Sequence, residues 1–335
     1  MNNFAHPTRK TYLITGAAGF IGSNIAQSLN SNGHNVIICD RFRSGSKWRN
    51  LQAVLISDVI PPENISEWIK LEGKNLDGII HMGAISATTE TDVDKIIINN
   101  FKLSSDLWRS ACIHGLPFIY ASSAATYGNG DKGFLDNESA SAQAQLRPLN
   151  PYGWSKLIFD RYIISEKDKK NCTPPQWVGL KFFNVYGPNE HHKGEMRSVI
   201  NKMFPKVYNN EVISLFRSHK AEYIDGGQLR DFIYVKDCLK VINWFLNNNQ
   251  ISGIFNVGTG KPRSFNDLIA AVGRVLNKKP KIEYVDMPSQ IRNSYQYYTK
   301  AEMDKISQCG YVEAFHSLED GVEDYIICDL LPNIQ

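Results

Sequence analysis

The chain has 335 residues, 42% of them apolar and 11% aromatic, enough to bury a sizeable core in one large or two modest domains without covalent staples. Its 37 basic and 34 acidic side chains leave a net charge of only +3, too balanced for a nucleic-acid polyanion partner or a polybasic membrane anchor. No stretch reaches the roughly 18 uninterrupted apolar residues of a membrane span, and the polar opening MNNFAHPTRK lacks a signal-peptide core and reads as a loose arm.

Residues 11–15 (TYLIT) predict a first strand. A glycine turn, Gly16-Ala17-Ala18-Gly19-Phe20-Ile21-Gly22, leads into a helix with apolar Ile21, Ile25 and Leu29 and a stop at Gly33. Residues 36–40 (VIICD) predict a second strand that ends on Asp40, with Arg41, Arg43 and Lys47 close behind. Apolar runs recur at 78–81, 117–121 and 178–183, with helical patterns between several of them. Strands that are continuous apolar runs alternating with helices imply a doubly wound α/β fold, a parallel sheet covered on both faces. Past residue 184 turns multiply (VYGPNEHHKG, YIDGGQLRD, NVGTGKPRS), and one clear late helix starts at Ser264, capped with Asp267 and faced by Leu268, Ile269, Val272, Val275 and Leu276. This predicts a nucleotide-binding half followed by a smaller half that covers a substrate.

The six cysteines, Cys39, Cys112, Cys172, Cys238, Cys309 and Cys328, form no CxxC pair and no cluster of metal-ligand spacing. They read as free cytoplasmic thiols, and no metal site is expected.

Two motifs carry chemistry. In the glycine turn, spaced GxxGxxG, the backbone can turn tightly against a pyrophosphate while the helix start offers its free N–H groups. An acid at the end of the second strand suits the adenosine ribose hydroxyls, which keeps NAD open; the basic Arg41, Arg43 and Lys47 suit a 2′-phosphate and lean towards NADP. The second motif is Tyr152-Gly153-Trp154-Ser155-Lys156. At i and i+4 on a helix the phenol and the ammonium share a face. A phenol titrates near ~10, and a neighbouring cation together with an oxidised nicotinamide favours phenolate, so Tyr152 can exchange a proton with a substrate hydroxyl. The run ASSAATYG at 121–128 follows an apolar strand and places Ser123 at its carboxyl end, where it can hold the reacting oxygen.

With these motifs in this order, residues 10–330 resemble the extended short-chain dehydrogenase/reductase superfamily that acts on nucleotide sugars. Further segments sharpen the likeness: Ser86-Ala87-Thr88-Thr89-Glu90, the run YASSAATYG, Phe183-Asn184-Val185-Tyr186-Gly187-Pro188 with His192-Lys193-Gly194, and Arg230-Asp231-Phe232. Together they are similar to the ADP-L-glycero-D-manno-heptose 6-epimerase family, which makes a precursor of the lipopolysaccharide inner core. The resemblance implies a Rossmann-type sheet with a smaller α/β domain. It divides the chain into a cofactor-binding part (10–182, 233–261, 298–312), a substrate-binding part (183–232, 262–297, 313–335) and the arm 1–9. It also implies a cytoplasmic homo-oligomer, a pentamer, with no nucleic-acid or membrane partner.

The family's reaction inverts a carbon that bears no acidic proton. A bound nicotinamide instead removes hydride and returns it to the other face of the ketone, with no net redox change. Turning the ketone moves its oxygen, so two acid/bases are needed. Tyr152 is the first, and by resemblance Lys193 is the second; the plainer reading of Lys193 is a phosphate contact or a solvated side chain. The resemblance also assigns cofactor contacts to Gly16, Gly19, Phe20, Ile21, Gly22, Asp40, Arg41, Lys47, Met82, Gly83, Ala84, Ile85, Ser86, Asn99, Lys156 and Val185. It assigns substrate contacts to Ser123, Asn184, Phe216, Arg217, Ser218, Arg230 and Tyr295, with Arg230 suited to a diphosphate. Three positions depart from the family pattern: Glu195 replaces a serine and Lys202 a histidine among the substrate contacts, and Pro62 replaces a cofactor-contacting lysine. Segment 217–228 is longer than in the best-known members. A 4,6-dehydratase needs an acidic pair where Ala124 and Ala125 stand; a UDP-sugar 4-epimerase is opposed only by the HKG and TTE segments; a non-catalytic relative would lack the Tyr152/Lys156 pair.

Overall fold

The computed structural model describes residues 9–292 and 295–334. Apart from Arg9, the expected N-terminal arm lies outside the described residues. The strands are β1 (Thr11–Thr15), β2 (Asn35–Cys39), β3 (Ile56–Ile60), β4 (Gly78–His81), β5 (Phe118–Ser123), β6 (Trp177–Phe182), β7 (Asn184–Tyr186), β8 (Val212–Phe216), β9 (Leu229–Arg230), β10 (Phe232–Tyr234), β11 (Gly253–Val257), β12 (Arg263–Ser264) and β13 (Lys281–Val285). Seven of them form one parallel sheet in the order β11-β6-β5-β4-β1-β2-β3.

The predicted strands fall in this sheet, within a residue or two of their expected bounds. Two members were not read from the sequence. The edge strand β3 exposes Ser57, Asp58 and Val59, so it shows no apolar run, and its charge blunts an open edge. The other is β11, which lies deep in the turn-rich half yet is buried throughout beside β6.

Both faces of the sheet are covered, as its apolar strands demand. On one face the helices Phe20–Ser31 and Val235–Asn247 bury Ile25, Leu29, Val241, Ile242 and Phe245. On the other, Ile65–Glu72, Leu103–His114 and Pro151–Asp168 bury Ile69, Leu107, Trp108, Phe159 and Ile163. A third core lies off the sheet. There β8 pairs with β13, and the helices Val199–Tyr208, Phe265–Val275 and Leu318–Tyr325 pack Phe204, Leu268, Val272, Val322 and Tyr325 together. The late helix starts as expected: Asp267 N donates to Ser264 Oγ at 3.0 Å, and Ser264 N donates to Asp267 Oδ2 at 3.0 Å. No helix among the described residues is long and apolar enough to cross a membrane.

Strand order reverses between β1 and β4, and the loops leaving their carboxyl ends part there to open a crevice. Short pairs β7–β10 and β9–β12 carry the chain from the sheet to the third core, so the crevice is walled by both.

Candidate active site

A cleft of about 940 Å3 fills the crevice. Its floor is the glycine turn. Gly16 sits at φ 64°, and a Cβ there would stand 2.6 Å from Gly83 Cα, so the loops after β1 and β4 meet more closely than any side chain allows. The helix after the turn begins at Gly19 with no side-chain cap and no acid in its first turn, leaving its N–H groups for an anion. Asp40 Oδ2 accepts from Ala18 N at 2.8 Å, which fixes the carboxylate at the end of β2. Lys47 pairs with Asp40, and Arg41 with Asn99 and with Glu63 Oε1 at 2.7 Å. Gly19, Phe20, Ile21, Gly22, Arg43, Met82, Gly83, Ala84, Ile85, Ser86 and Val185 complete the wall, and Pro62 faces the same space. A tight side-chain-free turn, an uncapped helix start and a strand-end acid together fit a dinucleotide.

The helix Pro151–Asp168 carries Tyr152 and Lys156, the pair expected to handle the proton. Asn150 caps it by accepting from Gly153 N at 2.8 Å, and proline at its first position suits the start. Gly153 lets this end press on the turn after β5: a Cβ there would lie 2.7 Å from the Ala125 carbonyl oxygen. That approach sets the Tyr152 phenol beside Ser123, and both line the cleft. Burial raises the Tyr152 pKa above that of an ordinary phenol, and the neighbouring Ser123 hydroxyl works against the rise. Lys156 is 3% exposed; burial pulls its pKa down to about 8, opposed by Asp160. Without the positive nicotinamide the tyrosine is therefore held as phenol.

Asp160, one turn further along, is fully buried and accepts from Tyr120 Oη at 2.9 Å, Ser122 Oγ at 2.8 Å and Lys181 Nζ at 2.8 Å. Asn100 does similar work from a π-helical segment, Ile97–Lys102. Its Oδ1 accepts from Ile85 N at 2.8 Å, and its Nδ2 donates to Ile85 O at 2.9 Å and Ser155 Oγ at 3.0 Å. Ser155 Oγ in turn donates to Tyr152 O at 2.7 Å, which ties the loop after β4 to the helix Pro151–Asp168. The sequence named the neighbouring Asn99, which lines the cleft and pairs with Arg41; nothing in residue type or spacing marked Asn100 as well.

Lys193 reaches the cleft from a short helical turn, His191–Met196. Its Nζ lies 5.2 Å from the Phe20 ring centroid, over the cofactor side, and burial lowers its pKa while Glu190 raises it. Glu190 is 1% exposed and accepts from the Ser198 backbone N–H, from Ser198 Oγ at 2.5 Å and from Tyr325 Oη at 3.1 Å, so one carboxylate pins both ends of the Lys193 turn to the third core. His192 beside it is pushed down to about 4, by burial first and then by His191 and Lys47, and is neutral.

The structure gathers Ser123, Tyr152, Lys156, Asn184 and Lys193 at this cleft with all the expected cofactor residues. Phe216, Arg217, Ser218, Arg230, Tyr295, Glu195 and Lys202 stand outside its wall. Lys202 Nζ turns to the Glu195 carbonyl at 3.1 Å on the surface. Ser218 folds into its own loop, its N–H donating to Asp225 Oδ1 at 2.8 Å. Arg230 is 7% exposed and stacks against Tyr295 at 5.0 Å and Phe265 at 5.8 Å; Tyr295 meets Phe216 edge to face at 6.1 Å. Among the described residues Arg230 makes no salt bridge: Asp231 is taken by the N–H groups of Thr259, Gly260 and Ala301. Phe265, Gln296 and Thr299 join this aromatic-guanidinium cluster to the cleft. Gln296 and Thr299 arrive from a distant stretch with no motif to announce them.

Comparison with known proteins places this geometry among relatives. The family model described as the NAD dependent epimerase/dehydratase family matches residues 12–258. The chain is 45% identical over 319 residues to an ADP-L-glycero-D-manno-heptose-6-epimerase of Nitratidesulfovibrio vulgaris (strain DP4), spanning 94% of this chain and 96% of that one. It is 43% identical over 323 residues to the protein of the same name in Fusobacterium nucleatum, with the same coverage. The crystal structure of Helicobacter pylori ADP-L-glycero-D-manno-heptose-6-epimerase superposes with a TM-score of 0.80 at 30% identity over 100% of both chains.

Proposed function

This chain belongs to the NAD dependent epimerase/dehydratase family, and on that premise we propose that it interconverts ADP-D-glycero-D-manno-heptose and ADP-L-glycero-D-manno-heptose for lipopolysaccharide core synthesis. The observation that carries this reading is the entry of Tyr152 and Lys193 into one cleft from unrelated elements, a helix and a pinned turn, beside Ser123 and a dinucleotide cradle. When bound, the nicotinamide supplies hydride removal and return at C6 of the heptose. Ser123 holds the C6 oxygen. Tyr152 exchanges the proton of that oxygen in one orientation of the sugar, and Lys193 exchanges it in the other. Lys156 steadies the phenolate from one turn away. Ala124 and Ala125 leave the cleft without the acid pair that elimination of water requires.

On this reading residues 10–182, 233–261 and 298–312 hold the cofactor, and 183–232, 262–297 and 313–335 cover the sugar. Arg230, with Phe216 and Tyr295, serves the diphosphate end. Arg41, Arg43 and Lys47 favour NADP over NAD, since all three line the ribose end of the cleft. The proposed assembly is a cytoplasmic homo-oligomer, a pentamer, which light scattering of the purified protein tests.

The deciding experiment incubates the protein, without added cofactor, with ADP-D-glycero-β-D-manno-heptose and follows the C6 configuration by proton NMR. Conversion to the L-glycero epimer is expected. Tyr152→Phe and Lys193→Met are each expected to lose nearly all turnover while retaining cofactor. Near-normal turnover in Lys193→Met would remove the two-base scheme.

A further inference from the structure

Two of the six cysteines, read singly as free thiols, lie against one another. Cys112 sits near the end of the helix Leu103–His114, half buried, and Cys172 is exposed in the turn that follows the helix Pro151–Asp168. Their contacts are reciprocal. Cys112 Sγ donates to the Cys172 carbonyl oxygen at 3.1 Å, and Cys172 Sγ donates to the Cys112 carbonyl oxygen at 3.7 Å. Each sulfur therefore lies against the backbone of the other cysteine. Such a side-by-side approach of two backbones is what a disulfide needs. Among the described hydrogen bonds no other two cysteines meet. Cys39 and Cys238 are buried, and Cys328 on the surface turns to Asp324 Oδ1 at 3.3 Å.

We propose that Cys112 and Cys172 are an oxidisable dithiol site that closes to an intrachain disulfide on reaction with a peroxide. Exposed Cys172 reacts first. Its sulfur attacks one peroxide oxygen, an S–O bond forms, the O–O bond breaks, and hydroxide leaves with the thiol proton as water. Cys112 then attacks the Cys172 sulfenic sulfur, an S–S bond forms, the S–O bond breaks, and the second water leaves with the Cys112 proton. The two thiols lose two electrons and the peroxide gains them. Burial and the neighbouring Cys172 sulfur push the Cys112 thiol up to about 12, so Cys112 is the resolving partner and not the first to be oxidised.

The bond would join two helices at the ends away from the cleft. Their near ends are already joined by Asn100 and Ser155. It would also close a loop spanning a sequence separation of 60, which removes freedom from the unfolded chain. The oxidised protein therefore gains resistance to unfolding while the cleft keeps its shape.

The test treats the folded protein with hydrogen peroxide and maps its peptides without reduction. The expected product is a Cys112 peptide linked to a Cys172 peptide within one chain, lighter by two hydrogens than the pair of free thiol peptides. The midpoint of thermal unfolding should rise by several degrees, reversibly with dithiothreitol, and turnover should be unchanged. Cys112→Ser and Cys172→Ser should each lose the link and the shift. Free thiols at both positions, over-oxidised Cys172 beside intact Cys112, or a link between two chains would overturn the proposal.

Discussion

Tyr152, Lys156 and Asp160 stand at successive turns of one helix, and each is handled differently. The phenol meets a hydroxyl, the ammonium is buried, and the carboxylate is enclosed with Lys181, both at 0% exposure. A buried pair of this kind adds little net stability, but removing one partner strands the other charge. Asp160→Ala is therefore expected to destabilise the fold by about 3–5 kcal/mol in urea unfolding. Asp160→Leu combined with Lys181→Met should recover much of that loss while still lowering turnover, because Lys156 loses the carboxylate that favours its charge. The YxxxK spacing announced Tyr152 and Lys156. It did not announce Asp160 or Lys181, because a buried pair made across a helix and a strand leaves no mark on either sequence.

Two helices are set at their starts for separate reasons. The helix Pro151–Asp168 is aimed by contact at Gly153. The helix Phe265–Val275 is started by the reciprocal bonds of Ser264 and Asp267, away from the proton-transfer groups. Their substitutions should behave oppositely. Gly153→Ala pushes the helix start off the Ala125 carbonyl, so kcat should fall at least as much as stability, measured by steady-state turnover beside thermal unfolding. Ser264→Ala should cost about 1 kcal/mol of stability and leave kcat unchanged. The glycine turn, the first two strands, the catalytic helix and this cap were legible because each is a local pattern. The Lys193 turn was legible only by resemblance. Its shape comes from Glu190 reaching Ser198 and Tyr325, the latter 135 residues away in sequence.

At the scale of the molecule, the third core holds an acid against its own preference. Asp329 is pushed up from 3.8 to about 6, by burial first and then by Glu190. A raised folded-state pKa means that the folded form holds the proton more tightly. This contribution to stability is fully present below pH 3.8 and is lost as pH rises through about 6. Asp329→Asn should therefore stabilise the protein at pH 7 and lose that advantage in the acid range, as read by unfolding midpoints across pH. The overall architecture was legible from alternating apolar runs, whereas the two edge strands were not: β3 exposes its centre, and β11 is set in a turn-rich stretch and held by partners distant in sequence, β6 on one side and Glu138 and Asp136 on the other. That late strand has a bearing on how the protein is made. A ribosome delivers residues in order, so β6 waits with a bare edge until residue 257 has emerged, and the core beneath it waits further for Ile306 and Tyr311. The seven-stranded sheet, begun first in sequence, is thus among the last parts to be completed, and a nascent chain cut short before Tyr311 would present an open sheet to chaperones and proteases.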